Sequence, residues 1–166
     1  MNIVTTFENK VIPDQFAKYS KDQEFGMPII SFPFQVTEIP ENCQTLAWTF
    51  LDYDAVLVCG FPYIHWLVAN VNRETTEFEA DFSRFDNHHI EGKNSLTSKF
   101  LSDDVKIIDQ QYIGPKPPDK DHKYILTVYA LDQELQLENG FYLNELYQQI
   151  KNHVVDQASI EVIGRC

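Results

Sequence analysis

Two histidines stand in the segments of this chain best suited to hold a polar side chain rigidly. His122 closes the run Tyr112-Ile-Gly-Pro-Lys-Pro-Pro-Asp-Lys-Asp-His and precedes the apolar alternation of Tyr124, Leu126 and Val128. Glycine and proline fix a backbone without help from packing, so Gly114, Pro115, Pro117 and Pro118 form a stiff turn that feeds a strand. His65 sits within the aromatic and aliphatic run Phe61-Pro-Tyr-Ile-His-Trp-Leu-Val-Ala-Asn70, with Asp52-Tyr-Asp54 a short way upstream. Two strand-borne imidazoles with a nearby carboxylate pair are a candidate anion-binding or acid/base site. Spacing alone equally allows a pair of hydrogen-bonded structural histidines.

The chemistry open to this set is specific. A neutral imidazole donates one hydrogen bond to an oxyanion, and a charged one donates two. Free backbone N–H groups in the proline-shaped loop and the Tyr124 hydroxyl add donors. Asp52 orients a histidine or meets an ammonium group, so the set suits a zwitterionic headgroup. No arginine lies in it, so affinity is expected to be modest. If the imidazoles titrate normally, anion binding strengthens as pH falls through about 6 to 7. Asp86-Asn-His88-His89 is a weaker set: adjacent histidines on a strand diverge, and no second cluster has metal-ligand spacing. No Gly-x-Ser-x-Gly elbow is present.

An ordered series of motifs resembles the phosphatidylethanolamine-binding protein family, and most closely its bacterial Raf kinase inhibitor-like branch. The series is Asp52-x-Asp54-Ala55, His65-Trp66 with Asn70, Tyr112-x-Gly114-Pro115-x-Pro117-Pro118, His122-x-Tyr124, and Val128-Tyr129-Ala130-Leu131-Asp132. The resemblance runs from about Pro28 to Gly164. It implies a mainly β, sandwich-like domain with a large central sheet, peripheral helices and a C-terminal helix, spanning residues 1–166 as one domain. It also implies a preformed pocket for anions such as phosphate or a phospholipid headgroup. Carried over by position, the ligand-binding residues are Asp52, Asp54, His65, Trp66, Gly114, Pro115, Pro117, Pro118, His122 and Tyr124, with Tyr63 at the rim. Tyr53 stands where the family usually has proline, Lys120 near a usual glycine, and Lys123 in place of a usual arginine. Strand alternation turns Lys123 away from the face shared by His122 and Tyr124.

The elements that must position these residues are legible in part. Thr45–Leu51 is rich in β-formers, and Ile64–Val71 is a near-continuous apolar run, as expected of a central strand buried on both faces. Lys123–Leu131 is the cleanest strand, and Ala158–Ile163 forms a last one. Pro28–Phe34 reads as a strand bent by Pro33. Val4–Phe25 reads as a short strand or two, with a brief helix near Asp14–Tyr19. Asn72–Lys99 is polar and reads as an extended surface segment. Phe141–His153 reads as a helix, because Leu143, Leu146, Tyr147 and Ile150 fall on one stripe.

Composition narrows the function. The 166 residues are 43% hydrophobic and 13% aromatic, enough for one substantial core, and carry a net charge of −12. That excess disfavours nucleic acid, whose phosphates need a basic footprint, and broad adsorption to anionic membranes. Three scattered cysteines make neither a disulfide framework nor a zinc knuckle. No secretory leader or bilayer-length apolar run is evident, so a cytoplasmic location is expected. The expected function is non-enzymatic binding of a small anion or phosphorylated headgroup, without metal or cofactor. The protein would be a monomer or homodimer that modulates a partner such as a kinase or protease. The competing expectations are a His/Asp-dependent hydrolase of a small phosphoester or ester, and an interaction protein with a vestigial pocket.

Overall fold

The structure is a computed structural model and describes residues 1–85 and 88–166. Its strands are β1 (Asn2–Val4), β2 (Gln23–Glu24), β3 (Met27–Pro28), β4 (Phe34–Thr37), β5 (Thr45–Asp52), β6 (Tyr63–Asn72), β7 (Glu77–Phe78), β8 (Ile90–Glu91), β9 (His122–Leu131) and β10 (Val154–Gly164). Its α-helices are α1 (Val56–Cys59), α2 (Phe82–Phe85) and α3 (Leu143–Ile150). The chain is mostly β. A five-stranded antiparallel sheet in the order β10-β9-β5-β6-β8 faces a small sheet in the order β1-β4-β7. No helix among the described residues is long and apolar enough to cross a membrane.

The central strands are apolar on both faces because both faces are covered. Leu46, Trp48 and Phe50 of β5, with Trp66 and Val68 of β6, pack against Phe34, Val36 and Phe78 of the small sheet. Ring pairs fill this layer: Phe34 stacks on Phe78 at 4.5 Å, and Trp48 meets Trp66 edge-on at 5.1 Å. Such pairs add about 0.5–1.5 kcal/mol each beyond their area burial. On the opposite face Ala47, Leu67, Ala69 and Leu131 receive Leu146 and Ile150 of α3, together with Leu135 and Phe141.

Strict alternation would send His65 and Trp66 to opposite faces. A register shift between Phe50 and Leu51 of β5 prevents this. Ile64 packs with the helix-side cluster, whereas His65 contacts Phe50 and Tyr124, and Trp66 lies in the sandwich layer. The irregularity therefore keeps the imidazole on the side where Asp52 and Tyr124 lie.

Several sequence expectations change in detail. The helix is shorter than Phe141–His153. It begins after Tyr142, whose N–H donates to Glu145 at 2.7 Å, and ends at Ile150. The last strand is longer, from Val154 to Gly164. Pro33 does more than bend a strand: 29–33 is irregular, and β4 starts at Phe34. The brief helix near Asp14 is a single turn, Asp14–Phe16.

The larger correction concerns 72–99. This segment carries β7, α2, β8 and the turn Ser95–Thr97, and it buries Phe78, Phe82, Glu91, Asn94 and Leu96. Its polar residues are internal braces. Asn94 donates to the carbonyls of Ile108 at 2.8 Å and Gln111 at 2.9 Å, and Ser95 Oγ accepts the Ile64 N–H at 2.8 Å. Polarity mimics exposure when every buried donor and acceptor has a partner inside the protein.

Candidate functional site

One row of residues crosses the end of the large sheet: Tyr63 on β6 pairs with Asp52 on β5, which pairs with Tyr124 on β9. The two histidines flank this row from strands separated by β5. The His65 ring lies 5.1 Å from that of Tyr124, and the His122 ring lies 6.4 Å from it. Between them opens a cavity of about 220 Å³. Asp52, Tyr63, His65, His122 and Tyr124 form one wall, Lys116, Pro117 and Pro118 a second, and Met27, Ala55, Val58 and Cys59 the rest. The volume is several times the ~30 Å³ share of one water, which leaves room for a small molecule.

The hydrogen bonds assign the protonation of each histidine. His65 Nδ1 lies 2.8 Å from the Ile113 carbonyl, and the Ile113 N–H donates back to the His65 carbonyl at 3.0 Å. A carbonyl only accepts, so Nδ1 carries the proton and Nε2 is left with a lone pair. Burial pushes the His65 pKa down to about 4, against the partial support of the Ile113 carbonyl and the Asp52 carboxylate. His65 is therefore neutral at physiological pH. Nε2 has no hydrogen-bond partner among the described residues, and the ring lines the cavity.

His122 is the opposite case. Nδ1 lies 2.7 Å from Asp52 Oδ2 and Nε2 lies 2.9 Å from Asp119 Oδ1. Both carboxylates accept, so both ring nitrogens donate and the ring is an imidazolium. Burial alone would lower its pKa, but the hydrogen bonds and charges of Asp52 and then Asp119 outweigh it and raise the value. Asp52 is itself fixed, because its Oδ1 accepts the Ala55 N–H at 3.0 Å and so ties α1 to the end of β5. Burial first, and then Asp52, which accepts from the phenol, hold the Tyr124 hydroxyl protonated. Environment moves the two rings in opposite directions, so only His122, whose pKa is raised above the ordinary 6.5, is left to carry a pH-dependent charge near neutrality.

Of the residues singled out in the sequence, Asp52, His65, Pro117, Pro118, His122 and Tyr124 line the cavity, as does Tyr63. Asp54, Trp66, Gly114 and Pro115 do not. Asp54 accepts the Lys123 N–H at 2.9 Å and so anchors the start of β9. Trp66 is fully buried in the sandwich layer, and its indole donates to Glu91 at 2.9 and 3.1 Å. Gly114 and Pro115 set the loop from behind. A Cβ on Gly114 would lie 2.5 Å from the Phe16 carbonyl, and one on Gly164 would lie 2.6 Å from Pro115. Lys123 turns away, as alternation requires, and pairs with Glu161 at 3.1 Å.

The weaker His88-His89 set has a structural role in part. His89 stacks on Phe82 at 4.5 Å and meets Glu91 at 3.0 Å, whereas Asp86 and Asn87 lie outside the described residues. Sequence reasoning missed Met27, Ala55, Val58, Cys59 and Asp119, whereas Lys116 lies within the loop it assigned to the pocket. Met27 and the α1 residues reach the cavity through tertiary contacts with no local signal. Asp119 had one: it stands three residues before His122 in a stiff turn, within reach of that ring.

Comparisons with known proteins agree with this fold. Residues 4–164 match the family model described as phosphatidylethanolamine-binding protein. Protein YxkA of Bacillus subtilis is 48% identical over 162 residues, which is 95% of each chain. A UPF0098 protein of Chlamydia pneumoniae is 30% identical over 133 residues, covering 79% of each chain. Two solved structures share the fold. CT736 of Chlamydia trachomatis, described as a phosphatidylethanolamine-binding protein homologue, has a TM-score of 0.78 at 21% identity, covering 99% of this chain and 97% of its own. YbcL of Escherichia coli, described as a member of the mammalian family, has a TM-score of 0.76 at 19% identity, covering 99% and 98%.

Proposed function

Because the chain belongs to the phosphatidylethanolamine-binding protein family, we propose that its cavity binds the anionic head of a small phosphorylated molecule or phospholipid, without chemical turnover. The observation that carries this reading is the carboxylate of Asp119. It sits on His122 Nε2 at 2.9 Å and also accepts from its own and the Lys120 backbone N–H. An oxyanion cradle is thus built and occupied by an internal carboxylate. The Asp119 side chain is 47% exposed, so it can leave for solvent when a ligand oxygen replaces it. A hydrogen bond from an imidazolium to an oxyanion is about twice as strong as a neutral one.

The rim supports the same reading. Val56, Leu57, Val58 and Phe61 are exposed, and Val58 also lines the cavity, so the carbon chain of a ligand leaving the cavity meets apolar surface. The test is calorimetric titration with phosphoethanolamine. Saturable binding that is lost in His122→Ala, with the variant still folded by circular dichroism, is the expected result. Absence of saturable binding by the intact protein overturns the reading.

One observation favours a second reading. A neutral His65 and a charged His122 beside the same cavity are a base and an acid whose pKa values are pushed apart, as acid–base catalysis requires. Turnover of a phosphoester panel that disappears in both His65→Ala and His122→Ala would establish it.

A further inference from the structure

Resting on the anion-binding reading, we propose that the cavity selects the singly protonated form of a phosphomonoester, whose P–OH donates to His65 Nε2 while its charged oxygens replace Asp119 at His122. The Ile113 carbonyl takes the Nδ1 proton at 2.8 Å, so the ring offers the cavity a lone pair and no N–H. His65 is 3% exposed, yet its Nε2 has no hydrogen-bond partner among the described residues. An acceptor that faces the cavity with no protein donor is matched by a donor on the ligand. A fully deprotonated phosphate has none, and its lone pairs would face that of Nε2.

The surroundings of His65 decide which donor. Its ring is packed by Phe50 at 5.8 Å, Tyr63 at 5.2 Å and Tyr124 at 5.1 Å. Asp52 on β5 and His122 on β9 are the charged groups that act on it. Both Asp52 oxygens are already engaged, one by His122 and one by the Ala55 N–H. Cys59 on α1 turns its thiol to the carbonyls of Ala55 and Phe61, and Lys116 on the loop gives its ammonium to the Gly26 carbonyl. A ligand ammonium at His65 would therefore be a buried cation facing a neutral ring, whereas a P–OH is neutral and less costly to desolvate. Asp52 and Asp119 bracket the one imidazolium, and the Lys116 ammonium on the second wall is engaged by the Gly26 carbonyl, so a second negative charge on the ligand meets no cation at His65 itself.

The test compares methyl phosphate with methyl sulfate. Both are small monoesters without an ammonium group, and the sulfate is a monoanion that carries no acidic proton. The second phosphomonoester pKa is about 6. Methyl phosphate is expected to bind at pH 6 at least tenfold more tightly than methyl sulfate. Above that pH its affinity should fall by about tenfold per unit relative to the sulfate, which also reports any loss from His122 deprotonation. The 31P resonance of bound methyl phosphate should keep the monoanion shift at pH 7.5, where the free ester is mostly dianion. Equal affinities with parallel pH profiles, or a dianion shift for the bound ester, overturn the proposal and leave anion binding standing. So does phosphoethanolamine binding that is flat between pH 6 and 8, which would place the ammonium at His65. Failure of both esters and of phosphoethanolamine to bind removes the anion-binding reading as well.

Discussion

At the scale of single residues, the account turns on two imidazoles with opposite protonation, and this has a consequence for stability. His65 stays neutral in the native state down to about pH 4, whereas an unfolded histidine takes a proton near 6.5. Between those values the unfolded state binds more protons, so stability falls as pH drops from about 6.5 to 4, by roughly 3 kcal/mol. His122 is raised, so its contribution is fully present below about 6.5 and is lost as pH rises through its native pKa. Urea titrations across pH should therefore show His65→Gln flattening the acidic limb and Asp52→Asn flattening the alkaline one. An unchanged acidic limb in His65→Gln would contradict the burial argument. Asp119→Ala removes the internal competitor at His122, and a calorimetric titration should show phosphoethanolamine bound a few-fold more tightly, the scale expected of an exposed charge pair. Weaker binding would mean that Asp119 contacts the ligand. The histidines and Asp52 were legible because imidazole and carboxylate in apolar, proline-stiffened segments are unusual company. Their protonation was not, since it depends on the Ile113 carbonyl and Asp119, which only the fold brings to the rings.

At the scale of elements, the loop 112–121 and strand β6 do the positioning. The loop is held from behind by close backbone contacts: the Gly114 N–H donates to the Pro28 carbonyl at 2.8 Å. Gly114→Ala would force a Cβ to 2.5 Å from the Phe16 carbonyl and 2.7 Å from Pro28, a backbone clash that no rotamer relieves. It should cost about 1–3 kcal/mol in a thermal or urea unfolding experiment, and should weaken phosphoethanolamine binding by moving Pro117 and Pro118. A variant as stable as wild type would show that the loop relaxes freely. The strands themselves were readable from period and β-branched content. Ile64–Val71 lacks alternation because α3 covers one face and the small sheet the other. The register shift beside His65 left no mark in the sequence. Trp66 was assigned to the pocket by its position in the family resemblance, whereas it fills the core. Segment 72–99 was misread for the complementary reason. Asn94 and Ser95 are polar because they brace β6 and the loop from inside, and a pattern of polar letters does not distinguish a braced interior from a wet surface.

At the scale of the whole molecule, the chain carries a net charge of −12, and the ligand proposed for its cavity is an anion. Self-repulsion of that size weakens the compact state and is screened by salt. The midpoint of thermal unfolding should rise with sodium chloride between low and physiological ionic strength, and a falling midpoint would show that local ion pairs, such as Lys93–Asp109 at 2.6 Å, dominate. On the proposed reading, the same field leaves recognition to short-range donors, so the cradle at His122 would bear the affinity. The family was legible from an ordered series of motifs spread over most of the chain, each weak alone. The ligand was not, because it depends on which ring nitrogens face the cavity. The most direct measurement of the central claim is 15N histidine NMR during titration with phosphoethanolamine. The account predicts that the Nε2 resonances of His65 and His122 shift together along one saturable curve, while that of His153, bound to Asp132 at 2.9 Å, stays in place. Resonances of His65 and His122 that remain fixed to the highest ligand concentration would contradict it.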